Sequence, residues 1–363
     1  MKPIRRKVIS LGLTLLACLA LQNPAFADNQ PGSVRLQHPG THAQAAALID
    51  VESGRLLYSK QGDQILPIAS LTKIMTAIVA IENGGLDKQV KVSPNAFGKE
   101  GSSIYLKLGE KMTLENMLYG LMLRSGNDAA TAIAEHVGGS EQGFVYLMNQ
   151  KAEMIGLTHT HFANPHGLDH KEHYSTANDL AKLTAYALHN PVFRQIVATR
   201  EKRAPNPEES WDYIWLNKNK MLRMYEGADG VKTGFTKIAR RCLVSSATRN
   251  GQQLAAVTLN DGDDWNDHAK MLDFGFQNYP LKTLVTGKQL IQSGDANLLT
   301  GITFQYPLNP AEASHLEQEV KLNEAADPFG FRGRLVLKLG DQVIGSVPLY
   351  QDMNKDAARQ ENK

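Results

Sequence analysis

Cysteine is almost missing from this chain: two residues in 363, Cys18 and Cys242. A chain with one cysteine beyond its leader has no internal disulfide, so its stability must come from a packed core. Long hydrophobic runs are scarce too. The longest apolar stretch, Val8 to Ala20, is too short to span a bilayer comfortably. Excess charge of one sign is also absent, with 39 basic against 37 acidic residues, which removes the electrostatic case for binding nucleic acid. There is no internal repeat and no low-complexity tract. What remains is 42% hydrophobic and 21% charged, an ordinary balance for a globular chain of this length, with one large and one smaller domain.

The start of the chain reads as a secretory signal over 1–27. Lys2, Arg5, Arg6 and Lys7 precede the apolar stretch, and Ala25-Phe26-Ala27 gives the small-x-small cleavage pattern. An uncleaved anchor is the weaker alternative. So is a lipoprotein signal at Cys18, because Leu19, Ala20 and Leu21 after it stay apolar. Cleavage after Ala27 leaves 35 basic against 37 acidic residues, a formal charge of −2. Residues 28–43 are polar. Cys242, in the run Cys242-Leu243-Val244, reads as a packed core residue.

The pattern from 44 to 280 mixes strands and helices. Ala46 to Ile49 and Arg55 to Tyr58 flank a turn at Glu52-Ser53-Gly54. After Pro67, apolar Ile74, Ala77, Ile78 and Ile81 recur at helical spacing from Ser70 to Asn83. Thr113 caps a helix through Arg124, and another runs from Asp128 to Val137. Ser140 caps a third, and Thr176 with Asp179 forms a capping box before Leu180. Leu243 to Ala247 and Leu254 to Leu259 join across Asn250-Gly251, a hairpin signal. Helical spacing returns from His268 to Phe276. From Leu281 the texture changes to short strands, at Ile302 to Tyr306, Leu316 to Leu322, Arg334 to Leu339 and Val343 to Leu349. This predicts an all-β module over 281–350, followed by a polar tail, 351–363.

Three short motifs carry chemistry. In Ser70-Leu71-Thr72-Lys73, residues i and i+3 share a helix face, so the amine can reach the hydroxyl. A serine hydroxyl needs a base to become a nucleophile, and lysine serves only if burial or nearby positive charge lowers its pKa. Alone this pattern is expected about once or twice by chance in such a chain. Ser125-Gly126-Asn127 sits where two apolar helices break. Its hydroxyl suits a proton relay, and the amide of Asn127 suits a substrate peptide group. Ser93-Pro94-Asn95 matches the same pattern and reads as a plain turn. Lys232-Thr233-Gly234 on a strand edge supplies a cation and a hydroxyl for a carboxylate, and Gly234 lets a ligand backbone lie close. Five histidines lie between His159 and His173, but their spacing fits no standard zinc signature.

The three motifs stand in order, 55 and 107 residues apart. Together they resemble the penicillin-recognising serine hydrolases, whose signature combines Ser-x-x-Lys, a Ser-Asp-Asn element and Lys-Thr-Gly. Ile68 to Thr76, His166-Gly167-Leu168 through Ala177, and Asp229 to Thr236 look like low-molecular-mass penicillin-binding proteins of the D-alanyl-D-alanine carboxypeptidase type. Asn217 to Leu222 and Lys237 to Arg241 look closest to spore-cortex carboxypeptidases of Gram-positive bacteria.

The resemblance implies an α+β fold: a transpeptidase-like domain, with an antiparallel sheet flanked by helices plus a helical subdomain, then the small all-β domain. It implies Ser70, Lys73 and Ser125 as catalytic residues. Asn127, Lys218, Lys232, Thr233, Gly234 and Phe235 would bind substrate. The N–H groups of Ser70 and Phe235 would form the oxyanion hole, and Lys218 would help hold a terminal carboxylate. It implies no cofactor and no metal. The expected partners are peptidoglycan stem peptides, with β-lactam antibiotics as covalent inhibitors. The expected function is removal of the terminal D-alanine from stem pentapeptides outside the cytoplasm, controlling wall or cortex cross-linking. The alternatives are a β-lactamase or DD-endopeptidase with the same site, or a catalytically silent wall-binding protein. Two departures stand out. Relatives usually end in a membrane-lying amphipathic helix, whereas this tail has no apolar face. Many relatives also carry Ala-Gly-Tyr where this chain has Ala239-Arg240-Arg241.

Overall fold

The structure, a computed structural model, describes residues 38–352 apart from 207–208, 295 and 325–326. The signal expected over 1–27, most of the polar segment 28–43 and the tail from 353 lie outside the described residues. The expected hairpin forms as β1 (Ala45–Asp50) and β2 (Leu56–Lys60), with Leu48 opposite Tyr58. A 3-10 turn, Ala69–Thr72, leads into α1 (Lys73–Asn83). The helix expected from Ser70 therefore begins three residues later. A small ribbon, β3 (Gln89–Lys91) with β4 (Lys111–Thr113), precedes α2 (Leu114–Tyr119). Thr113 caps α2 by accepting the Asn116 N–H at 3.3 Å. The helix then widens into a π turn, Gly120–Arg124, and ends at Ser125.

Next come α3 (Asn127–Gly138) and α4 (Glu141–Met154), the latter capped by Ser140, whose hydroxyl accepts the Gly143 N–H at 3.0 Å. Thr176 caps α5 (Ala177–His189) through the Asp179 N–H. The capping box stays half closed, because the Asp179 carboxylate accepts from the His159 N–H and the Thr160 hydroxyl. The sequence reading had no helix at α6 (Pro191–Ala198), which carries proline at its start and an Asn190 cap. After β5 (Glu201–Ala204), β6 (Tyr213–Leu216) and the short α7 (Met221–Met224), the chain enters β7 (Ala228–Thr236), β8 (Arg240–Arg249) and β9 (Gln252–Leu259). The β8–β9 hairpin turns at Asn250 and Gly251, both with positive φ, as an Asn-Gly turn requires. Helix α8 (Asp264–Asn278) closes this part.

The central sheet has the order β2-β1-β9-β8-β7 and is antiparallel throughout. Both faces are buried, which explains why β1 reads as a continuous apolar run with no polar alternation. Ala45, Ala47 and Ile49 face the core shared with α1 and α5. Ala46 and Leu48 face the core shared with α8. Strand β7 is the sheet edge. On the first face α1 is buried all round from Lys73 to Ala80.

The β-rich part contains β10 (Leu281–Val285), β11 (Leu290–Ser293), β12 (Ala296–Thr300), β13 (Phe304–Pro307), β14 (Leu316–Leu322), β15 (Phe331–Leu339) and β16 (Gln342–Gln351). Its larger sheet has the order β11-β12-β16-β15-β14. A separate core of Val285, Leu298, Leu335, Leu337, Val347 and Leu349 holds it together. Arg55 ties it to the central sheet, donating to the Pro307 carbonyl at 2.7 Å and pairing with Glu312 between the rings of Tyr279 and Tyr306. Among the described residues no helix is long and apolar enough to cross a membrane.

Candidate active site

The turn before α1 is built around Ser70. Ala69 has φ 47, a left-handed conformation that a non-glycine residue adopts only when its surroundings enforce it. In the 3-10 turn, residues i and i+3 eclipse, so Ser70 and Lys73 stack directly. The Lys73 Nζ donates to the Asn127 Oδ1 at 2.7 Å and to the His166 carbonyl, and lies 3.1 Å from the Ser70 Oγ. Lys73 is wholly buried. Burial, then the positive charges of Lys232 and Lys218, lower its pKa well below 10.5, and Asp128 opposes this only weakly. The arrangement favours a neutral amine against a serine hydroxyl.

The second motif closes the site from the helical side. Ser125 sits at φ 67, where the π turn ends, and its buried hydroxyl has no hydrogen-bond partner among the described residues. Asn127 bridges inward: its Oδ1 accepts from Lys73 and its Nδ2 donates to the Glu100 carbonyl at 2.6 Å. One amide N–H is left for a ligand. The neighbouring Asp128, which sequence reasoning missed, accepts from the N–H groups of Ile104 and Leu106 and from the Ser103 hydroxyl. It fixes the loop 102–106 over the cleft.

The third motif lies on β7. Lys232 is 1% exposed, and its Nζ donates to the Thr233 carbonyl at 2.7 Å. Burial, then Lys218, lower its pKa to about 7. A Cβ on Gly234 would come within 3.2 Å of the Ser70 N, so this glycine lets the strand edge run against the turn that carries Ser70. Phe235 is largely exposed beside it. Lys218 lies across the cleft with its Nζ 3.4 Å from the Ser102 Oγ, and burial followed by Arg124 lowers its pKa. One cleft of about 410 Å³ brings together Ser70, Ser125, Lys218, Thr233, Gly234 and Phe235. Arg241 lines it too, paired through its guanidinium with Asp264 and 5.9 Å from the Trp265 ring centre. The departure at Arg241 thus falls on the rim of the site.

Beneath Lys73 lies a second layer that carried no role in the sequence reading. His166 is buried; its Nδ1 accepts the Leu168 N–H, and its Nε2 faces Glu141 at 3.5 Å. The imidazole is kept neutral by burial, and its hydrogen bond holds the Glu141 carboxyl low, near 2. A neutral ring donating Nε2–H to a carboxylate satisfies both. Gly167 is forced: its φ is +86, and a Cβ there would lie 2.0 Å from the Ala69 carbonyl oxygen. His173, in contact with Thr72 at 2.6 Å, is pushed down to about 3, chiefly by burial. Among the described residues the one group with metal-ligating spacing is His42, Asp263 and Asp267, where Lys270 already pairs with Asp267. Cys242 is buried on β8, and burial pushes its thiol up to about 12, which makes it unreactive.

Comparison with known proteins places this serine, the buried lysine and the Lys-Thr-Gly strand within a chain of known family. The D-alanyl-D-alanine carboxypeptidase family model matches residues 33–263. The D-alanyl-D-alanine carboxypeptidase DacF of Bacillus subtilis is 33% identical over 96% of this chain and 95% of its own length. The crystal structure of the D-alanyl-D-alanine carboxypeptidase DacD from Francisella tularensis superposes with TM-score 0.68 at 28% identity, covering 91% of this chain and 98% of that one. Penicillin binding protein 5 from Haemophilus influenzae superposes with TM-score 0.72 at 26% identity, covering 86% and 97%. These two likenesses extend over both the mixed α/β part and the β-rich part, in keeping with the expected α+β fold and its small all-β domain. The chain belongs to the D-alanyl-D-alanine carboxypeptidase family.

Proposed function

We propose that this chain is a serine D-Ala-D-Ala carboxypeptidase that removes the terminal D-alanine from peptidoglycan stem pentapeptides, with Ser70 as its nucleophile. The observation that carries this reading is the buried Lys73 amine, of lowered pKa, 3.1 Å from the Ser70 hydroxyl. Ser70 Oγ attacks the carbonyl of the penultimate D-alanine, and its proton passes to Lys73 Nζ. The negative oxygen forms between the N–H groups of Ser70 and Phe235. Lys232, Thr233 and Lys218 hold the terminal carboxylate, and Asn127 takes a peptide group of the donor. As the C–N bond breaks, the leaving amine takes a proton relayed from Lys73 through the Ser125 hydroxyl. Water then cleaves the Ser70 ester and restores the enzyme. Residues 44–280 carry this chemistry, and 281–350 form an accessory module.

The basic and apolar leader supports export, with cleavage after Ala27. N-terminal sequencing of the secreted protein tests that site. The catalytic reading is tested by mass spectrometry of a purified pentapeptide muropeptide after incubation. The product should be lighter by one alanine residue, and Ser70→Ala should leave the pentapeptide intact. D-alanine release by that variant would sink the assignment.

A further inference from the structure

A second hollow, of about 370 Å³, adjoins the catalytic cleft on the Lys218 side. Three stretches of chain line both. Ser102 belongs to the cleft and Ser103 to the hollow, Ser125 to the cleft and Arg124 to the hollow, Lys218 to the cleft and Leu216 to the hollow. On the proposed function, Ser125 hands a proton to the leaving amine and Lys218 holds the terminal carboxylate. The α carbon of the last residue joins those two groups. It therefore lies where cleft meets hollow, and its side chain is the part of the substrate able to enter.

The hollow is apolar and held open. Ile104, Tyr105, Ile214, Trp215 and Leu216 form its walls. Tyr105 is 83% exposed, Ile214 52% and Leu216 48%, an apolar patch built by segments far apart in sequence. Tyr105 has φ 65, a left-handed conformation that persists in a non-glycine residue only where the surroundings enforce it. Asp128 accepts the N–H groups of Ile104 and Leu106 on either side, and the Ser103 hydroxyl accepts the Tyr105 N–H at 2.8 Å. The hydroxyls in the lining are already engaged, Ser103 donating to Asp128 and Tyr213 to Glu110. Arg124, whose guanidinium donates to the Leu216 carbonyl at 3.2 Å, supplies positive charge that repels a cation.

Given that function, we infer that this hollow receives the side chain of the residue the enzyme releases, and that it selects stems ending in a large apolar D-amino acid of leucine or phenylalanine size. A terminal alanine offers one methyl group, which leaves such a hollow largely unfilled. A longer apolar side chain lies against Tyr105, Ile214 and Leu216 and removes their exposed surface from water.

The full-length enzyme is assayed for release of the last residue from pentapeptides ending in D-alanine, D-leucine, D-phenylalanine or D-lysine, and for cutting of a cross-linked stem dimer. The D-leucine and D-phenylalanine peptides should exceed the D-alanine peptide in kcat/KM by about tenfold or more, the worth of two or three buried methylenes, and chiefly through KM. The D-lysine peptide should fall below the D-leucine peptide, and Arg124→Gln should narrow that gap. Combined Tyr105→Ser and Ile214→Ser should bring the D-leucine and D-phenylalanine peptides down to the D-alanine level, with the melting temperature showing that the variant is folded. Ile214→Ser alone should reduce the preference part of the way. Equal or lower kcat/KM for the two large apolar residues in the unaltered enzyme overturns the subsite while leaving the catalytic reading intact. So does a preference that survives the substitutions in a folded protein. Faster cutting of the dimer than of the D-leucine peptide gives the hollow to a second stem and overturns the subsite too. Release from none of the substrates removes the catalytic reading and the subsite with it.

Discussion

Ser70 and Lys73 stack across a single 3-10 turn, with the amine 3.1 Å from the hydroxyl and no room for bulk water around the buried nitrogen. The pair is poised by its surroundings: two further lysines face it, and burial disfavours the ammonium form.

The pH dependence follows from those lysines. A base must be neutral to accept a proton, so Ser70 acylation rises with pH through the lowered pKa of Lys73, well before 10.5. Lys232, lowered to about 7, is useful to a carboxylate only while protonated, so acylation falls again above its own value. The profile of kcat/KM is therefore a bell, and its limbs belong to the coupled pair rather than to either amine. Stopped-flow labelling by a fluorescent penicillin across pH measures it. Lys232→Arg keeps the charge at all accessible pH and should remove the alkaline limb below about pH 10. A single rise centred near 10.5 contradicts the scheme.

Ser125 separates stability from activity. Its hydroxyl is buried without a partner among the described residues, so Ser125→Ala breaks no hydrogen bond. The melting temperature should stay within about 2 °C of the parent, a change below ~1 kcal/mol. D-alanine release should fall by about 10²-fold or more, the usual worth of a positioned proton-transfer group. A large drop in melting temperature with near-normal turnover would assign Ser125 a structural role instead.

Gly167 makes the opposite prediction. Its φ of +86 disfavours any side chain, and a Cβ would meet the Ala69 carbonyl at 2.0 Å, on the turn that presents Ser70. Gly167→Ala should cost several kcal/mol and displace the nucleophile. Both denaturant midpoint and penicillin labelling should fall together. A variant of normal stability that labels at the parental rate would disprove the close packing of these two loops.

The parts legible in the sequence were those set by local chemistry. Thr113 and Ser140 cap their helices by short-range bonds, and Asn250-Gly251 turns the β8–β9 hairpin through its own backbone preferences. The Ser-x-x-Lys spacing already placed Lys73 within reach of Ser70. The missed features depend on residues distant in the chain. The 3-10 turn at Ser70 and the π turn before Ser125 are shaped by tertiary packing. The Glu141–His166 pair and the Asp128 contacts to the loop 102–106 join segments that no periodicity links. Strands β10, β11 and β12 are four or five residues long, too short for alternation to stand out.

The fate of a penicilloyl adduct turns on the carboxylates near Ser70. Class A lactamases drive deacylation with a glutamate acting through water. Among the described residues lining this cleft the one carboxylate is Asp264, and both of its oxygens engage the Arg241 guanidinium. On the proposed mechanism, water attack on the ester falls to Lys73 and Ser125, without a free carboxylate among the described residues lining the cleft. The acyl-enzyme formed with penicillin should therefore persist with a half-life of about a minute or longer, a barrier of roughly 20 kcal/mol. Intact-protein mass spectrometry after drug removal measures its decay. Nitrocefin turnover faster than about one per second would require a barrier below roughly 18 kcal/mol, and with it a free carboxylate that the described residues lining this cleft do not supply.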